Sequence, residues 1–305
     1  MKNLITRSLA GIVYVGVILA AILCCSYGLT ALGLLFAFLA AIEFQNLCCG
    51  KATTATEKSN RFLGTLGTLG CYSLSLIPFS AFSFCIKASA AEKAIHILLP
   101  ALVVAGATAV ALRFLTTIYD KQEGALRRLA FTAMGWIYIG LPLGCMAMLG
   151  ESAMGWRLPL MLFIMIWLND TGAYCVGSLC GRRKLFERLS PKKSWEGFWG
   201  GMAFTVIAGI VYAILSYTRY TNLESGIFPD TILSQTAYIA IWAGIGAAIS
   251  AAATLGDLFE SLIKRTLGVK DSGKLIPGHG GILDRIDSLL FAAPVMLALC
   301  FCIFG

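Results

Sequence analysis

The 305-residue sequence has little charge and almost no histidine. Asp, Glu, Lys and Arg make up only 13% of its residues, and it contains two histidines. A soluble domain carries about 25% charged residues. Hydrophobic residues reach 58%, and the mean hydropathy is +0.80. The composition therefore excludes an ordinary soluble globular domain and predicts a polytopic membrane protein.

Several other signals are missing. The 11 cysteines include no CxxC pair and no Cys/His spacing typical of zinc or redox sites. Most of them lie in apolar runs, where cysteine packs as a small apolar residue. No internal repeat, low-complexity tract or soluble domain is visible. No small-residue cleavage site follows the first apolar run, so we expect the first helix to be retained.

The apolar runs predict an all-α fold with about nine transmembrane helices, because about 20 apolar residues span a bilayer as a helix. The chain is expected to form a single membrane domain, with N-terminal helices in 1–125 and the helices that carry the chemistry in 126–305. The predicted spans are 8–25, 28–47, 62–85, 94–115, 126–149, 158–180, 196–217, 234–256 and 282–304. The Gly/Ala-rich segment Ala243 to Ala253 is expected to let helices approach closely.

The distribution of Lys and Arg predicts the orientation. With the N-terminus in the cytoplasm, 20 of the 24 Lys and Arg residues fall on cytoplasmic ends and loops. The C-terminus is then periplasmic. The net charge of +8 also suits contact with anionic lipid headgroups, although topology bias alone explains most of it.

The densest polar stretch, residues 256–288, lies between two apolar runs. It holds 10 of the 40 charged residues and one of the two histidines. Carboxylates that can hold a hard cation lie beside bases that can hold phosphates, a mixture typical of phosphoryl or nucleotidyl transfer. These side chains are Asp257, Asp271, Asp284 and Asp287 together with Lys264, Arg265, Lys270, Lys274, Arg285 and His279.

The spacing in this stretch adds geometry. Asp257, Ser261, Lys264 and Arg265 fall on one helix face, and a helix starting near Gly281 would direct Asp284 and Asp287 the same way. The glycine-rich segment between the two helices predicts a loop. Its Gly280-Gly281 pair would offer N–H groups and a positive helix end to a phosphate.

A second polar stretch covers residues 167–201. Asn169 and Asp170 lie inside an apolar run, where a charged side chain costs about 2.5–3.5 kcal/mol. We interpret them as substrate-binding, with a helix-packing hydrogen bond as the alternative. Lys192 and Lys193 are either a charge pair at the membrane surface or ligands for substrate phosphates. Ser194 is the expected N-cap of the next helix.

Isolated residues carry weaker signals. Glu43, in the second apolar run, is either a hydrogen-bonding residue inside the bundle or part of a polar cavity, and the former is favoured. Trp136, Trp156 and Trp242 are interpreted as packing or interface aromatics.

Several strings resemble the phosphatidate cytidylyltransferases, or CDP-diacylglycerol synthases. The string from Asn169 to Tyr174 and the one from Ser190 to Gly197 are similar to this family. The remaining strings lie within some 27 residues: Ser261-Leu262-Ile263-Lys264-Arg265, Lys270-Asp271, Pro277-Gly278-His279-Gly280-Gly281 and Asp284-Arg285-Ile286-Asp287.

The resemblance implies the reaction CTP + phosphatidate → CDP-diacylglycerol + diphosphate at the cytoplasmic face of a bacterial inner membrane. It supports Asp257 and Asp284 as Mg²⁺ ligands, and we expect Asp287 to bind the metal or lie next to it. A second cation is left open. The expected substrate-binding and catalytic residues are Lys192, Lys193, Lys264, Arg265, Lys270, Lys274, His279, Gly280, Gly281, Ser261, Asn169 and Asp170. The expected partners are CTP, phosphatidate and membrane lipid, with no nucleic acid, and the resemblance implies a homodimer.

Two other functions share some of these features. A CDP-alcohol phosphotransferase also uses acidic metal ligands, but its DxxDGxxAR run is missing, since Ser288-Leu289 follow Asp287. A secondary transporter also carries acids within the membrane, but it would show two related halves and charges near the bilayer midplane. The charges here lie mostly at predicted cytoplasmic helix ends.

Overall fold

Helices make up nearly all of the described chain. The computed structural model describes residues 2–23, 27–50, 52–82, 90–152, 154–224, 233–273 and 280–304. These residues form ten α-helices, one π-helical turn and one β-hairpin. The bounds are α1 Lys2–Leu23, α2 Gly28–Cys49, α3 Ala55–Phe82, α4 Ala90–Tyr119, α5 Ala125–Gly135, the π turn Trp136–Gly140, α6 Leu141–Glu151, α7 Arg157–Cys180, β1 Lys184–Phe186, β2 Ser190–Ser194, α8 Trp195–Glu224, α9 Gln235–Thr266 and α10 Leu283–Phe304.

The all-α polytopic fold class is confirmed. Seven helices of the described chain are long and apolar enough to span a membrane, counting α5, the π turn and α6 as one. They coincide with seven of the predicted spans. The described parts of the other two predicted spans, 8–25 and 62–85, fall on α1 and α3, and residues 24–25 and 83–85 lie outside the described residues. Of these two helices, α1 contributes the shorter apolar stretch Ala10–Leu23. The count of nine and the orientation of the termini stay predictions.

Glycines set the closest helix contacts. A Cβ on Gly70 of α3 would lie 2.6 Å from the Cα of Gly106 of α4. A Cβ on Gly246 of α9 would lie 2.5 Å from the backbone oxygen of Thr205 of α8. Since backbone cannot move aside as a side chain can, only glycine permits these approaches. The close packing expected within Ala243 to Ala253 is therefore confirmed.

The contact between α9 and α10 positions the polar ends of both helices. Gly256 of α9 lies directly against the backbone of Asp287 and Ser288 of α10. Asp257 is the next residue on α9, so this approach brings it toward the first turns of α10. Hydrophobic burial then fixes the pair, because Ile286 and Leu289 of α10 are 0% and 2% exposed.

The segment between α7 and α8 is a hairpin that the sequence did not predict. β1 and β2 pair antiparallel, with Lys184 opposite Ser194 and Phe186 opposite Ser190. The predicted N-cap is confirmed, since the Gly197 N–H donates to Ser194 Oγ at 3.2 Å. Glu196, in the first turn of α8, accepts hydrogen bonds from the backbone N–H groups of Arg182 and Arg183. The hairpin is thereby tied to the start of α8.

Two of the three tryptophans interpreted as packing or interface aromatics pack inside the bundle, and the third lies at its surface. Trp136 and Trp242 are 6% and 0% exposed, and Trp136 donates from Nε1 to the Gly64 oxygen at 2.9 Å. Trp156 is 44% exposed and stacks on the Arg157 guanidinium at 4.5 Å. It therefore lies at the surface of the bundle, as an interface aromatic does.

Replacing Gly246 with Leu is expected to separate α8 from α9. Overpacking against backbone costs about 1–3 kcal/mol, so the variant should unfold at a clearly lower temperature in detergent. Gly244→Leu is the matched control, because a Cβ at Gly244 has nothing within 4 Å. Intrinsic tryptophan fluorescence during heating measures both variants. Equal melting temperatures for the two would contradict the packing described here.

Candidate active site

Most of the polar residues predicted from the sequence lie at one end of the helix bundle. The C-terminal turns of α9, the N-terminal turns of α10, the C-terminal turns of α7 and the hairpin meet there. Lys274 and His279, both predicted to bind phosphate, lie outside the described residues. The roles predicted for the site residues stay predictions, and the geometry shows which of these residues come together.

One cavity joins the two polar stretches of the sequence. It has a volume of about 390 Å³ and lies between α7, the hairpin, α8 and α9. Its polar lining residues are Asn169, Asp170, Tyr174, Ser178, Lys192, Lys193, Ser194, Thr254 and Asp257. This volume is within the usual range for small-molecule sites. Residues some 60–90 positions apart in the chain thus form one polar chamber.

An ion pair crosses this cavity. Lys193 Nζ of β2 lies 2.5 Å from Asp257 Oδ2 of α9, with the two side chains 27% and 34% exposed. Ser261, one helical turn after Asp257, donates to Asp257 Oδ1 at 3.4 Å. Such a half-exposed pair is worth about 1 kcal/mol or less. An entering polyanion can therefore replace Asp257 as the partner of Lys193, and an entering cation can replace Lys193 as the partner of Asp257.

The intramembrane residues Asn169 and Asp170 have different surroundings. Asn169 is buried, and its Oδ1 accepts a hydrogen bond of 2.6 Å from Ser250 Oγ on α9. Gly201 of α8 packs closely against the same side chain. Asn169 therefore makes the helix-packing hydrogen bond of the alternative interpretation, but it also lines the cavity, so its role in substrate binding stays a prediction. Asp170 is exposed and lines the cavity.

A second ion-pair network lies beside the cavity. Lys264 Nζ is 2.6 Å from Glu260 Oε2 and 2.7 Å from Asp284 Oδ1, and the Lys264 side chain is 13% exposed. The other oxygen of Asp284 accepts hydrogen bonds from the Gly281 N–H at 2.8 Å and the Ser272 N–H at 3.1 Å. Asp284 therefore fastens the end of α9 and the connecting loop to the start of α10.

Asp287 lies one turn deeper along α10. It is within electrostatic reach of Asp257, Asp170 and Glu260. Asp284 and Asp287 are thus both directed toward α9, as their spacing predicted. The helix begins at Leu283, two residues after the predicted start.

The remaining predicted residues surround this network. Arg265 is exposed and reaches the Leu189 oxygen at 3.4 Å, and Lys270 is exposed in the loop. Gly280 has a φ of +85°, which favours glycine. The Gly281 N–H, expected to be free for a phosphate, instead donates to the carboxylate of Asp284, the second residue of α10.

Glu260 was missed by the sequence prediction. It is 0% exposed, it pairs with Lys264, and its Oε1 has no hydrogen-bond partner among the described residues. The available signal was its position four residues before Lys264 in the same charged stretch. Lys264 compensates one oxygen of this buried carboxylate, which leaves Oε1 for a further cation or a shared proton.

The hydroxyl of Tyr138 was also missed. Tyr138 belongs to the π turn, a feature frequent at functional sites. Its ring packs edge-on against Phe259 of α9 at a centroid distance of 5.2 Å. Its hydroxyl is buried without a hydrogen-bond partner in the described chain, and it lies within electrostatic reach of Glu260 and Asp287.

Oxygen ligands that suit Mg²⁺ are concentrated here, but they are not assembled into a complete metal site. Within the described ranges, which leave out His279, no three His, Cys, Asp or Glu groups are arranged to hold a metal ion together. Of the three predicted ligands, Asp257 and Asp284 are each paired with a lysine. The features that fit a cation are the unpartnered Glu260 oxygen and the carboxylate of Asp287 within its electrostatic reach.

Comparison with known proteins identifies a family that this chain matches. A family model described as "Cytidylyltransferase family" matches residues 5–303. The chain belongs to this family. The resemblance inferred from the sequence strings is therefore confirmed at the family level.

Three relatives from staphylococci carry the name phosphatidate cytidylyltransferase. The protein of Staphylococcus epidermidis is 36% identical over 180 residues, and that of Staphylococcus aureus is also 36% identical over 180 residues. The protein of Staphylococcus saprophyticus is 38% identical over 182 residues. Each match covers 59% of this chain and 62% of the relative, which is less than two thirds of the relative's length.

Glu43 of α2 ties the N-terminal helices to this site. It is 9% exposed, and its Oε2 accepts a hydrogen bond of 3.0 Å from the Leu283 N–H, the first residue of α10. A Cβ on Gly273 would lie 2.6 Å from its Oε1, so the loop also packs on this carboxylate. The favoured interpretation, a hydrogen-bonding residue inside the bundle, is confirmed. Its charge also complements the positive end of α10.

Replacing Glu43 with Ala is expected to destabilise the protein by about 1–2 kcal/mol, because the Leu283 N–H loses its acceptor in a buried position. Glu43→Gln is the matched control, since its amide oxygen still accepts the hydrogen bond and should retain most of the stability. Thermal unfolding in detergent measures both. An Ala variant as stable as the Gln variant would show that the cap contributes nothing.

Proposed function

We propose that this chain is a phosphatidate cytidylyltransferase that makes CDP-diacylglycerol and diphosphate from CTP and phosphatidate. Family membership supports a cytidylyl transfer, and the printed names of the relatives point to phosphatidate as the acceptor. The observation that carries the proposal is the Lys193–Asp257 pair in a polar cavity at the end of an apolar bundle. There a lipid headgroup and a nucleotide can meet.

The reaction needs charge neutralisation more than a strong base. A phosphatidate oxygen, already anionic at neutral pH, forms a bond to the α-phosphorus of CTP. The bond from that phosphorus to the β-phosphate oxygen breaks, and diphosphate leaves with the electron pair. No proton needs to be removed from the nucleophile. The barrier therefore arises mainly from bringing two polyanions together and stabilising the leaving group.

Basic side chains around the cavity suit this task. Lys192 and Lys193 line the cavity wall, and Lys193 would exchange its contact with Asp257 for a substrate phosphate. Arg265 and Lys270 are exposed, Arg265 next to the Leu189 oxygen of the hairpin, and we assign them to the triphosphate or the departing diphosphate. Lys264 is held between two carboxylates, so its first role is to keep Glu260 and Asp284 in place.

Mg²⁺ is proposed as the cofactor. Asp257, Asp284 and Asp287 would hold it, and Glu260 is a further carboxylate within the same network. When bound, Mg²⁺ would neutralise phosphate charge and favour departure of diphosphate. A bacterial inner-membrane location with the site facing the cytoplasm is part of the proposal. The homodimer and a second cation stay predictions.

Asp284→Asn is expected to lower Mg²⁺-dependent formation of CDP-diacylglycerol by at least 100-fold. The asparagine keeps an oxygen acceptor for the Gly281 N–H but loses the charge that binds Lys264 and would bind the cation. Glu187→Gln, at an exposed hairpin position, is the control and should retain activity. Purified protein in detergent with labelled CTP, phosphatidate and Mg²⁺ gives the rates. Near-normal turnover in a correctly folded Asp284→Asn variant would count against the proposal.

Lys193→Gln is expected to reduce kcat/KM for CTP by roughly 10-fold to 100-fold, the cost of about 1.4–2.7 kcal/mol of lost transition-state binding. Lys184→Gln, an exposed lysine on the neighbouring strand, is the matched control. The same assay also separates the other functions. A CDP-alcohol phosphotransferase would consume CDP-diacylglycerol, and a transporter would convert neither substrate.

A further inference from the structure

A cluster of arginines lies away from the candidate active site, where α2 and α4 end and α3 and α5 begin. Arg61, Arg113 and Arg128 line a small pocket there, hereafter the arginine pocket. Its other lining residues are Gln45, Cys49, Glu57, Asn60 and Thr132. Gln45 lies two residues after Glu43 on α2. The arginine pocket is therefore at the same end of the bundle as the candidate active site, on the other side of α2.

Arg113 is the most unusual member of this cluster. It lies inside the candidate span Ile97–Tyr119 and is only 2% exposed. Its Nη1 donates to Thr117 Oγ1 at 2.6 Å, but its Nε is buried with no hydrogen-bond partner. A buried guanidinium is costly unless it is paired. No carboxylate lies within ion-pair distance of Arg113 in the described chain.

Among the described residues, Asp120 lies within electrostatic reach of Arg113, but it is already in an ion pair with Arg128. Arg128 is paired with Asp120 at 2.8 Å, and this hydrogen bond lowers the pKa of Asp120 so that it stays ionised. Arg61 donates to the Asn46 side chain and to the Gly50 oxygen. Glu57 is the one carboxylate in the described lining, and its Oε2 already accepts hydrogen bonds from the backbone N–H groups of Thr53 and Thr54. In the described chain, three arginines therefore share two carboxylates, Asp120 and Glu57, and both are already engaged.

The size and position of the pocket fit part of a phosphate group. Its volume is about 30 Å³, room for roughly two or three water-sized oxygen atoms. Guanidinium groups bind phosphate oxygens in a fork geometry. Beside Arg113, the side chains of Phe114, Leu115 and Ile118 are 49%, 51% and 75% exposed. They form an apolar surface on which an acyl chain would lie next to the pocket.

We propose that the arginine pocket binds a phosphate group, either in the headgroup of an anionic phospholipid or as free phosphate. Arg113 supplies the buried guanidinium, and Arg61 and Arg128 close the pocket around the anion. This site is separate from the Lys193–Asp257 cavity and does not depend on the proposed reaction. Its ligand would stabilise the packing of α2 to α5, because it neutralises charges contributed by three of these helices.

The test is a titration of the purified, delipidated full chain, with the melting temperature measured by tryptophan fluorescence. Three probes are compared: dihexanoyl phosphatidylglycerol, dihexanoyl phosphatidylcholine, and inorganic phosphate against sodium chloride at equal ionic strength. Phosphatidylglycerol is chosen because it is not a substrate of the proposed reaction. We expect a saturable rise in melting temperature with phosphatidylglycerol and none with phosphatidylcholine.

Substitutions assign the effect to the pocket. Arg113→Gln and Arg61→Gln should each raise the half-saturating concentration at least five-fold, and Arg113→Lys should give an intermediate value because it keeps the charge and loses the fork. Arg127→Gln is the matched control. Arg127 lies beside Arg128 but stacks over Phe131 at 5.5 Å and does not line the pocket. It should titrate within two-fold of the unsubstituted protein.

The outcomes separate the two sources of phosphate. A response to phosphatidylglycerol alone, lost in the Arg113 and Arg61 variants, identifies a lipid headgroup site. The same response to inorganic phosphate identifies a free anion as sufficient. If all variants titrate alike, or if sodium chloride reproduces the shift, the proposal is overturned. Should Arg113→Gln fail to fold, Arg61→Gln and Arg113→Lys decide between these outcomes.

Discussion

A carboxylate at the end of an apolar bundle must have a cation or an N–H donor close to it, and this constraint shapes the candidate active site. Lys264 meets it for Glu260 and Asp284 together, and the Gly281 and Ser272 N–H groups complete the shell around Asp284. Breaking such a buried network leaves an uncompensated charge, which is strongly destabilising. The ends of α9 and α10 are therefore held in one arrangement.

Small residues let that network form. Gly256 brings α10 against α9, and Gly246 brings α9 against α8, so carboxylates and lysines from different helices reach one another. The N-terminal helices contribute through Glu43, whose carboxylate accepts the first N–H of α10. Their role is thus partly to fix the loop and helix start that carry the chemistry. The arginine pocket adds a second charged region on the other side of α2.

The sequence predicted the functional residues on each helix better than it predicted which residues contact one another. The alignment of Asp257, Ser261 and Lys264 on one helix face and the paired direction of Asp284 and Asp287 follow from helical periodicity, which is local. The partners of these residues are not local. The pairing of Lys193 with Asp257 joins positions 64 residues apart, and the link from Glu43 to Leu283 joins positions 240 residues apart. No sequence spacing encodes contacts of that kind.

By itself, the sequence determined the membrane class, most of the helix positions and the family, because long apolar runs and fixed motif strings are properties of the chain alone. Only the tertiary structure showed that Asn169 accepts a hydrogen bond from Ser250, that the Gly281 N–H donates to Asp284, and that Glu260 belongs to the ionic network. The physical reason is that a polar group in an apolar interior takes whichever partner the packed helices bring within reach.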